Sequence, residues 1–314
     1  MPPLDVCVVG EINPDLILSG LPTELKPERE ELIEGFRITL GSSSAIFAHN
    51  LAALGTKVGI VSKIGSDAFG KMSLEWLEEA GVETSKVNST GHTPTGVTLI
   101  LSKPEHRYIL TYPGTMFELR YQDLDLDYVF SARHLHVSSF FLHRALRPRL
   151  AELFRVAKER GLSTSLDTND DPADEWGGGL DELLPFVDLL FPNEREALKI
   201  SRESDIGRAA QKLSKICGGV VIKLGSRGAF ARIRQEEFRC EHLTVRVKDA
   251  IGAGDSFDAG YIHRFLQGAG PQECLDYANL AGGFSTTCQG GIEAFRHREE
   301  VRRIFSEQFF LRDR

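Results

Sequence analysis

The feature that most constrains this 314-residue chain is an alternation, sustained over most of its length, of short apolar runs with segments of helical period. "LDVCVVG", "KVGIVSKIG", "HLHVSS", "LSTSLD", "DLLFPN" and "GVVIKLG" are the strand candidates. Between them, residues 149–160 place Leu150, Leu153, Phe154 and Ala157 on one helical face, with Gly161 as the stop, and Ile206, Ala210, Leu213 and Cys217 repeat the pattern up to Gly218. Strands that alternate with helices in this way predict a parallel sheet covered by helices.

Two regions interrupt the rhythm. Residues 13–40 are rich in Pro and Glu, and within 92–118 "TGVTLILS" and "RYILTYPG" read as paired strands joined by "KPEH". These predict a small β lid on a main α/β domain formed by residues 1–12, 41–91 and 119–314. With 41% apolar and 26% charged residues, the composition is that of a globular protein with a substantial core. The balance of 37 basic against 45 acidic residues, net −8, provides no broad cationic surface for nucleic acid or anionic lipid. No basic leader and no apolar run of membrane-spanning length occurs, so a cytoplasmic location is expected. Five scattered cysteines, without C-x-x-C, suggest buried thiols and neither a disulfide framework nor a zinc site.

Three motifs resemble functional signatures but fail on detail. "GSDAFGKM" has the spacing of a phosphate loop up to Lys71, but Met72 lacks the hydroxyl that holds magnesium, so a strand-to-helix turn is expected. "DTNDDP" alternates oxygen ligands like a calcium loop, yet puts Pro172 where glycine is needed and Gly178 at the twelfth position. His134 and His136 share a strand face without a third ligand, which favours core or edge histidines over a metal pair.

The stretch "DAIGAGDSFDAG", residues 249–260, is different. Gly252, Ala253 and Gly254 carry almost no side chain, so successive backbone N–H groups can point at one anion, supported by the dipole of the helix that follows. Asp255 beside a bound phosphate makes chemical sense as a base that takes a proton from an attacking hydroxyl. A helix-capping acid after a glycine turn remains the bland alternative.

The same stretch resembles the C-terminal signature of the ribokinase-like (PfkB) carbohydrate kinases, D-T-x-G-A-G-D-x-F. "GEINPDLIL", "LGSSSAIFAHNLAALG", "GIVSKIGSDAFG", "DLLFPNEREA", "VIKLGSRGAF" and "ANLAGGFSTTCQGG" follow the family's order over essentially the whole chain. The resemblance implies a three-layer αβα sandwich with a mostly parallel central sheet and a small β-sheet lid. It implies Asp255 as catalytic base and the Gly252–Ala253–Gly254 backbone as the hole for the transferred γ-phosphoryl group. Asn193 and Glu196 match the N-x-x-E element that organises Mg2+ on ATP through water. Lys223, Gly225, Ser226, Gly228 and Asn279 would face the nucleotide. Asp249 and the Ile251 carbonyl match a monovalent-cation (K+) site, although Ala250 replaces the usual Thr.

On the sugar side, Asn13 and Asp15 match the family's polar pair. Gly41 matches the first glycine of G-G-x-x-x-N, whereas Ser42 replaces the second and Ile46 stands where Asn is usual. That departure removes a polar contact, unless Ser42 to Ser44 substitute for it. Arg107 is placed to reach an acidic or phosphorylated substrate. The function implied is an ATP-dependent sugar kinase acting on a primary hydroxyl of a ribose, fructose or keto-deoxy sugar acid type of substrate. A nucleoside kinase, with Phe36 or Tyr112 stacking on a base, and a non-catalytic sugar or nucleotide sensor on the same fold remain as alternatives. Exposed lid strands are commonly buried by a partner, so a homodimer through the lid is expected.

Overall fold

The computed structural model describes residues 4–103, 107–241 and 243–310. The strands are β1 (Val6–Val9), β2 (Pro14–Ser19), β3 (Gly35–Leu40), β4 (Val58–Gly65), β5 (Glu83–Thr90), β6 (Val97–Ser102), β7 (Arg107–Tyr112), β8 (His134–Val137), β9 (Ser163–Leu166), β10 (Leu189–Leu190), β11 (Gly219–Lys223), β12 (Ala229–Ile233) and β13 (Glu236–Cys240). Nine of them form one sheet in the order β13-β12-β11-β10-β9-β8-β1-β4-β5. Pairing is parallel from β5 through β11 and antiparallel across β11, β12 and β13.

The two-residue side-chain period of a strand divides the core between the faces of this sheet. Cys7 and Val9 of β1 pack with Leu135, Leu166 and Val220 under the helix Leu150–Glu159. Val6 and Val8 pack on the other face with Ile60, Phe191 and Val221, under the helices Ser43–Leu54, Ala253–Leu266 and Pro271–Ser285. The result is the three-layer αβα sandwich expected. The helix expected to run to Cys217 ends at Leu213, and the Cys217 amide instead bonds back to the Leu213 carbonyl at 3.0 Å. No helix among the described residues is long and apolar enough to cross a membrane.

A second, four-stranded sheet has the order β3-β2-β6-β7. The β6–β7 pair is antiparallel, as "TGVTLILS" and "RYILTYPG" predict, with Val97 opposite Tyr112 and Ser102 opposite Arg107; residues 104–106 of their "KPEH" join lie outside the described residues. "GSDAFGKM" is a turn: Asp67 caps the helix Ala68–Glu79 by accepting from the Gly70 amide, and its other oxygen accepts from the Thr95 amide.

The topology determines where a site can form. The chain runs from β1 outward to β4 and β5, then returns to β8 on the other side of β1, so connections diverge at the β1/β8 boundary. In open parallel sheets that divergence leaves a crevice beyond the carboxyl ends of the strands. Glu11 follows β1, Ser138 and Ser139 follow β8, Asp167 and Asn169 follow β9, Asn193 and Glu196 follow β10, and Lys223 ends β11.

Candidate active site

A cleft of about 800 Å³ opens at this edge, between the large sheet and the four-stranded one. Glu11, Asn13, Asp15, Ser42, Ile46, Arg107, Ser139, Asn169, Glu196, Ile251, Gly252 and Asp255 all contribute to its lining. Residues that are distant in the sequence thus meet in one place.

Gly252 has φ +70, and a Cβ there would lie 2.6 Å from the Gly291 Cα, so only glycine fits. The helix starts at Ala253, and its first amides lack partners one turn back, as at any helix start. Among the described residues the Gly254 and Asp255 amides have no acceptor, and the Ala253 amide has only a long 3.4 Å contact to the Ala250 carbonyl. Asn50 fixes this end of the helix by donating to Ser256 Oγ at 2.9 Å and to the Gly291 carbonyl at 3.0 Å, while Ser256 Oγ donates to the Gly252 carbonyl.

Asp255 is 8% exposed in the first helical turn. Burial, reinforced by the negative charge of Asp167 and opposed by Lys223, pushes its pKa up to about 7. A carboxyl balanced between its two states near neutrality is well matched to proton exchange with a hydroxyl. Asp15 faces the same cleft, raised to about 8 by burial and then by the charges of Asp255 and Asp249, with Arg107 acting in the opposite direction. Its carboxylate occupies the space above Gly41, where a Cβ would sit 1.9 Å from Asp15 Oδ1. Asn13 donates to Thr98 Oγ1 at 3.2 Å, which ties β1's extension to β6.

Ser42 stands where the family pattern has glycine and keeps a glycine-like φ of +68. Its hydroxyl is 2.6 Å from the Glu11 carbonyl and accepts from the Ala45 amide as the cap of the helix Ser43–Leu54. Ile46 presents an apolar side chain to the cleft beside Gly252 and Gly291.

The expected nucleotide-side residues fall into two groups. Asn193 and Glu196 form a reciprocal helix cap: Asn193 Oδ1 accepts from the Glu196 amide at 3.0 Å and Glu196 Oε2 accepts from the Asn193 amide at 2.8 Å. Only Glu196 reaches the cleft, its pKa raised to about 7 by burial and by the charge of Asp167. The Lys223 ammonium does not project freely toward a ligand. It donates to Asp167 at 2.6 Å and Asp258 at 3.2 Å, beneath Gly254. Burial lowers its pKa, but the charges of Asp167 and Asp258 outweigh this and hold it above its usual value. Gly225, Ser226 and Gly228 form the turn between β11 and β12, outside the cleft lining. Asn279 donates to the Glu241 carbonyl at 2.7 Å and also lies outside it. Asp249 accepts from the Ile251 amide at 3.0 Å and the Gly290 amide at 3.1 Å.

Several participants were not anticipated. Glu11 accepts from Ser44 Oγ at 2.8 Å, Ser139 Oγ at 2.9 Å and His143 Nε2 at 3.1 Å. Burial raises its pKa, but the hydrogen bond and charge of His143 overcome this and hold Glu11 at about 2, a fixed anion. Asp167, Asp258, Ser139, Asn169, Arg144 and Arg147 were also missed. Phe36 and Tyr112, considered as base-stacking residues, do not line the cleft; Phe117 and Phe141 do. His134 and His136 are buried with both ring nitrogens bonded to serine hydroxyls, Ser163, Ser165 and Ser138.

A family model described as "pfkB family carbohydrate kinase" matches residues 3–298, and the chain belongs to that family. It is a phosphotransferase with an alcohol group as acceptor, a sugar kinase in the broad sense. It is 27% identical over 305 residues to a ribokinase of Haemophilus influenzae, covering 94% of this chain and 96% of that protein. It is 28% identical over 290 residues to a 2-dehydro-3-deoxygluconokinase of Bacillus subtilis, covering 88% and 89% respectively. The fold is shared with a putative ribokinase II from E. coli solved in complex with ATP and Mg2+, at a TM-score of 0.84, 24% identity and coverage of 98% and 99%.

Proposed function

We propose that the chain transfers the γ-phosphoryl group of ATP to a primary hydroxyl of a small carbohydrate bound between the two sheets. The observation that carries this reading is a buried acid, Asp255, at a helix start whose Gly254 and Asp255 amides are unpartnered, facing Asp15 across one cleft. Asp255 accepts the proton of the sugar hydroxyl as that oxygen bonds to the γ-phosphorus. The bond from phosphorus to the β,γ-bridging oxygen breaks in line, and ADP leaves with the electron pair. The amides after Gly252 stabilise charge on the transferred group. Asn13 and Asp15 orient the sugar.

Among the described residues no cluster of three or more metal-ligating side chains occurs. Magnesium keeps most of its waters and is shared with substrate phosphates, so one protein carboxylate can suffice to hold it. Glu196, positioned by Asn193, would hold it through water; bound there, it would neutralise charge on the phosphates. Asp249 orders the loop whose Ile251 carbonyl would meet a monovalent cation such as K+. The four-stranded sheet acts as a lid, bringing Asn13, Asp15, Thr98 and Arg107 over the sugar and excluding water that would otherwise hydrolyse ATP. β7 is exposed along its length, with Ile109 at 55% and Leu110 at 56%, and a second copy of the chain covers this edge in a homodimer.

Incubation with ATP, Mg2+ and a panel of sugars, sugar acids and nucleosides tests the reading. Sugar-dependent ADP release is expected, whereas binding without release for every compound would favour a sensor. Light scattering should give a dimer mass that Leu110→Lys halves.

A further inference from the structure

Three arginines, Arg107 on β7 and Arg144 and Arg147 in the segment after β8, contribute to the lining of the cleft that also holds Asp15 and Asp255. Among the described residues, none of the three has a carboxylate partner within 4 Å. Arg144 and Arg147 are oriented by other contacts. The Arg144 guanidinium lies 4.2 Å over the Phe117 ring, and Arg147 lies 6.0 Å over Phe140 while donating to the Phe141 carbonyl at 3.4 Å. Rings and a carbonyl fix the side chains without cancelling their charge.

Among the carboxylates that share this lining, Asp15 feels the charge of Arg107, while Asp170, Asp171, Glu11 and Glu196 are engaged elsewhere. Asp170 is paired with Arg195. Asp171 accepts from the Ala173, Glu175 and Trp176 amides at 3.0, 2.9 and 2.7 Å. Glu11 is bound by His143 and serines, and Glu196 by Asn193. Glu175 is exposed and makes no ion pair with the arginines. Arg144 and Arg147, held by rings and a carbonyl, and Arg107 from β7 bring guanidinium groups without a carboxylate within 4 Å to one cleft and form a receptor for an oxyanion, since each can donate two parallel hydrogen bonds to a carboxylate or phosphate. Ile46, standing where a polar contact to a neutral sugar would be expected, fits an acceptor whose recognition is electrostatic.

We propose that the phosphoryl acceptor is an anionic sugar, bearing a carboxylate or a phosphate away from the reacting hydroxyl, and that Arg107, Arg144 and Arg147 hold that anion. This specificity rests on the kinase reading above, but it is separable from it by experiment.

With ATP and Mg2+, the wild-type chain is assayed against ribose and fructose as neutral probes, 2-dehydro-3-deoxygluconate as a carboxylate and ribose 1-phosphate as a phosphate. At least one anionic probe is expected to exceed both neutral sugars in kcat/KM by tenfold or more, and which one does so distinguishes the carboxylate from the phosphate. Arg107→Gln, Arg144→Gln and Arg147→Gln should each raise KM for that anion about ten- to a hundredfold, the loss expected for a charge-assisted hydrogen bond, with kcat and the KM for ATP little changed. Arg147→Lys, which keeps the charge and loses the fork, should fall between. Calorimetric titration of the same probes runs in parallel. If an anion binds in an arginine-dependent way and no ADP is released, the subsite stands and the kinase reading falls. If a neutral sugar is the better substrate, if the Gln variants bind and turn over the anion like wild type, or if neither anion binds, the subsite is overturned.

Discussion

Replacing Asp255 with Asn removes the proposed base while keeping nearly the same volume. The wild-type carboxyl has a pKa pushed up to about 7 by burial and then by the charge of Asp167. About a tenth of it is therefore ionised at pH 6 and about nine tenths at pH 8, so kcat should rise roughly tenfold between those values. The Asn variant lacks this limb, and its kcat should lie about 10²- to 10⁴-fold lower, the usual contribution of a positioned general base. Folding should survive. A carboxyl whose pKa is higher in the folded chain than in the unfolded one contributes stability at low pH that is lost as pH rises through about 7. Asn carries no such ionisation, so the variant's Tm relative to wild type should improve from pH 6 to pH 8. The assay is coupled ADP release with a saturating acceptor, alongside calorimetric ATP binding and thermal unfolding at both pH values. A variant that keeps kcat within tenfold of wild type, or retains the same acid limb, would refute Asp255 as the proton acceptor.

Gly41→Ala puts a Cβ 1.9 Å from Asp15 Oδ1 and 2.9 Å from the Asp15 amide nitrogen, so the carboxylate must turn away. KM for the acceptor should rise by about three- to tenfold, as for a lost hydrogen bond, while the KM for ATP stays put; unchanged acceptor KM would remove Asp15 from sugar binding. Lys223→Met leaves Asp167 and Asp258 buried without their cation and should cost about 3–5 kcal/mol. Asp258 already sits well above its ordinary pKa through burial, so the deficit, read by urea titration, should grow as pH rises and Asp258 ionises. Ile46→Asn places an amide at the cleft and should improve kcat/KM for neutral sugars relative to the best acceptor; no shift in that ratio would show that position 46 does not read the substrate.

The parts legible from sequence share one property, which is that their cause is local. β1, β4 and β11 hold runs of consecutive apolar residues because both faces are covered. β5 and β13 run along the sheet's rims, are largely polar, and carry no such pattern. The glycine run before Asp255 likewise announces itself, since the turn and the helix start lie within a few residues. Glu11, His143 and Asp167, and the pairing of Lys223 with Asp167 and Asp258, acquire meaning only when segments far apart in the sequence arrive at one edge, and no spacing rule anticipates that encounter. Arg144 and Arg147 are ordinary basic residues in the sequence until the segment after β8 folds toward the same cleft.

Gly41 and Ser42 show how a motif can be altered without losing its geometry. The neighbouring positions are constrained by different forces. Gly41 is constrained by space, because Asp15's carboxylate lies where a Cβ would go. Ser42 is constrained by backbone conformation alone, at φ +68, which costs a non-glycine residue about 1–3 kcal/mol. That cost is one a side chain can offset: the Ser42 hydroxyl binds the Glu11 carbonyl and caps the helix Ser43–Leu54, each contact worth about 1 kcal/mol. Serine therefore preserves the loop that places Gly41 under Asp15, whereas the same exchange at Gly41 would displace the carboxylate that faces Asp255 across the cleft. The departure at Ile46 has no such local compensation, since a sec-butyl side chain makes none of an amide's hydrogen bonds, and its consequence must appear in which acceptor the cleft prefers.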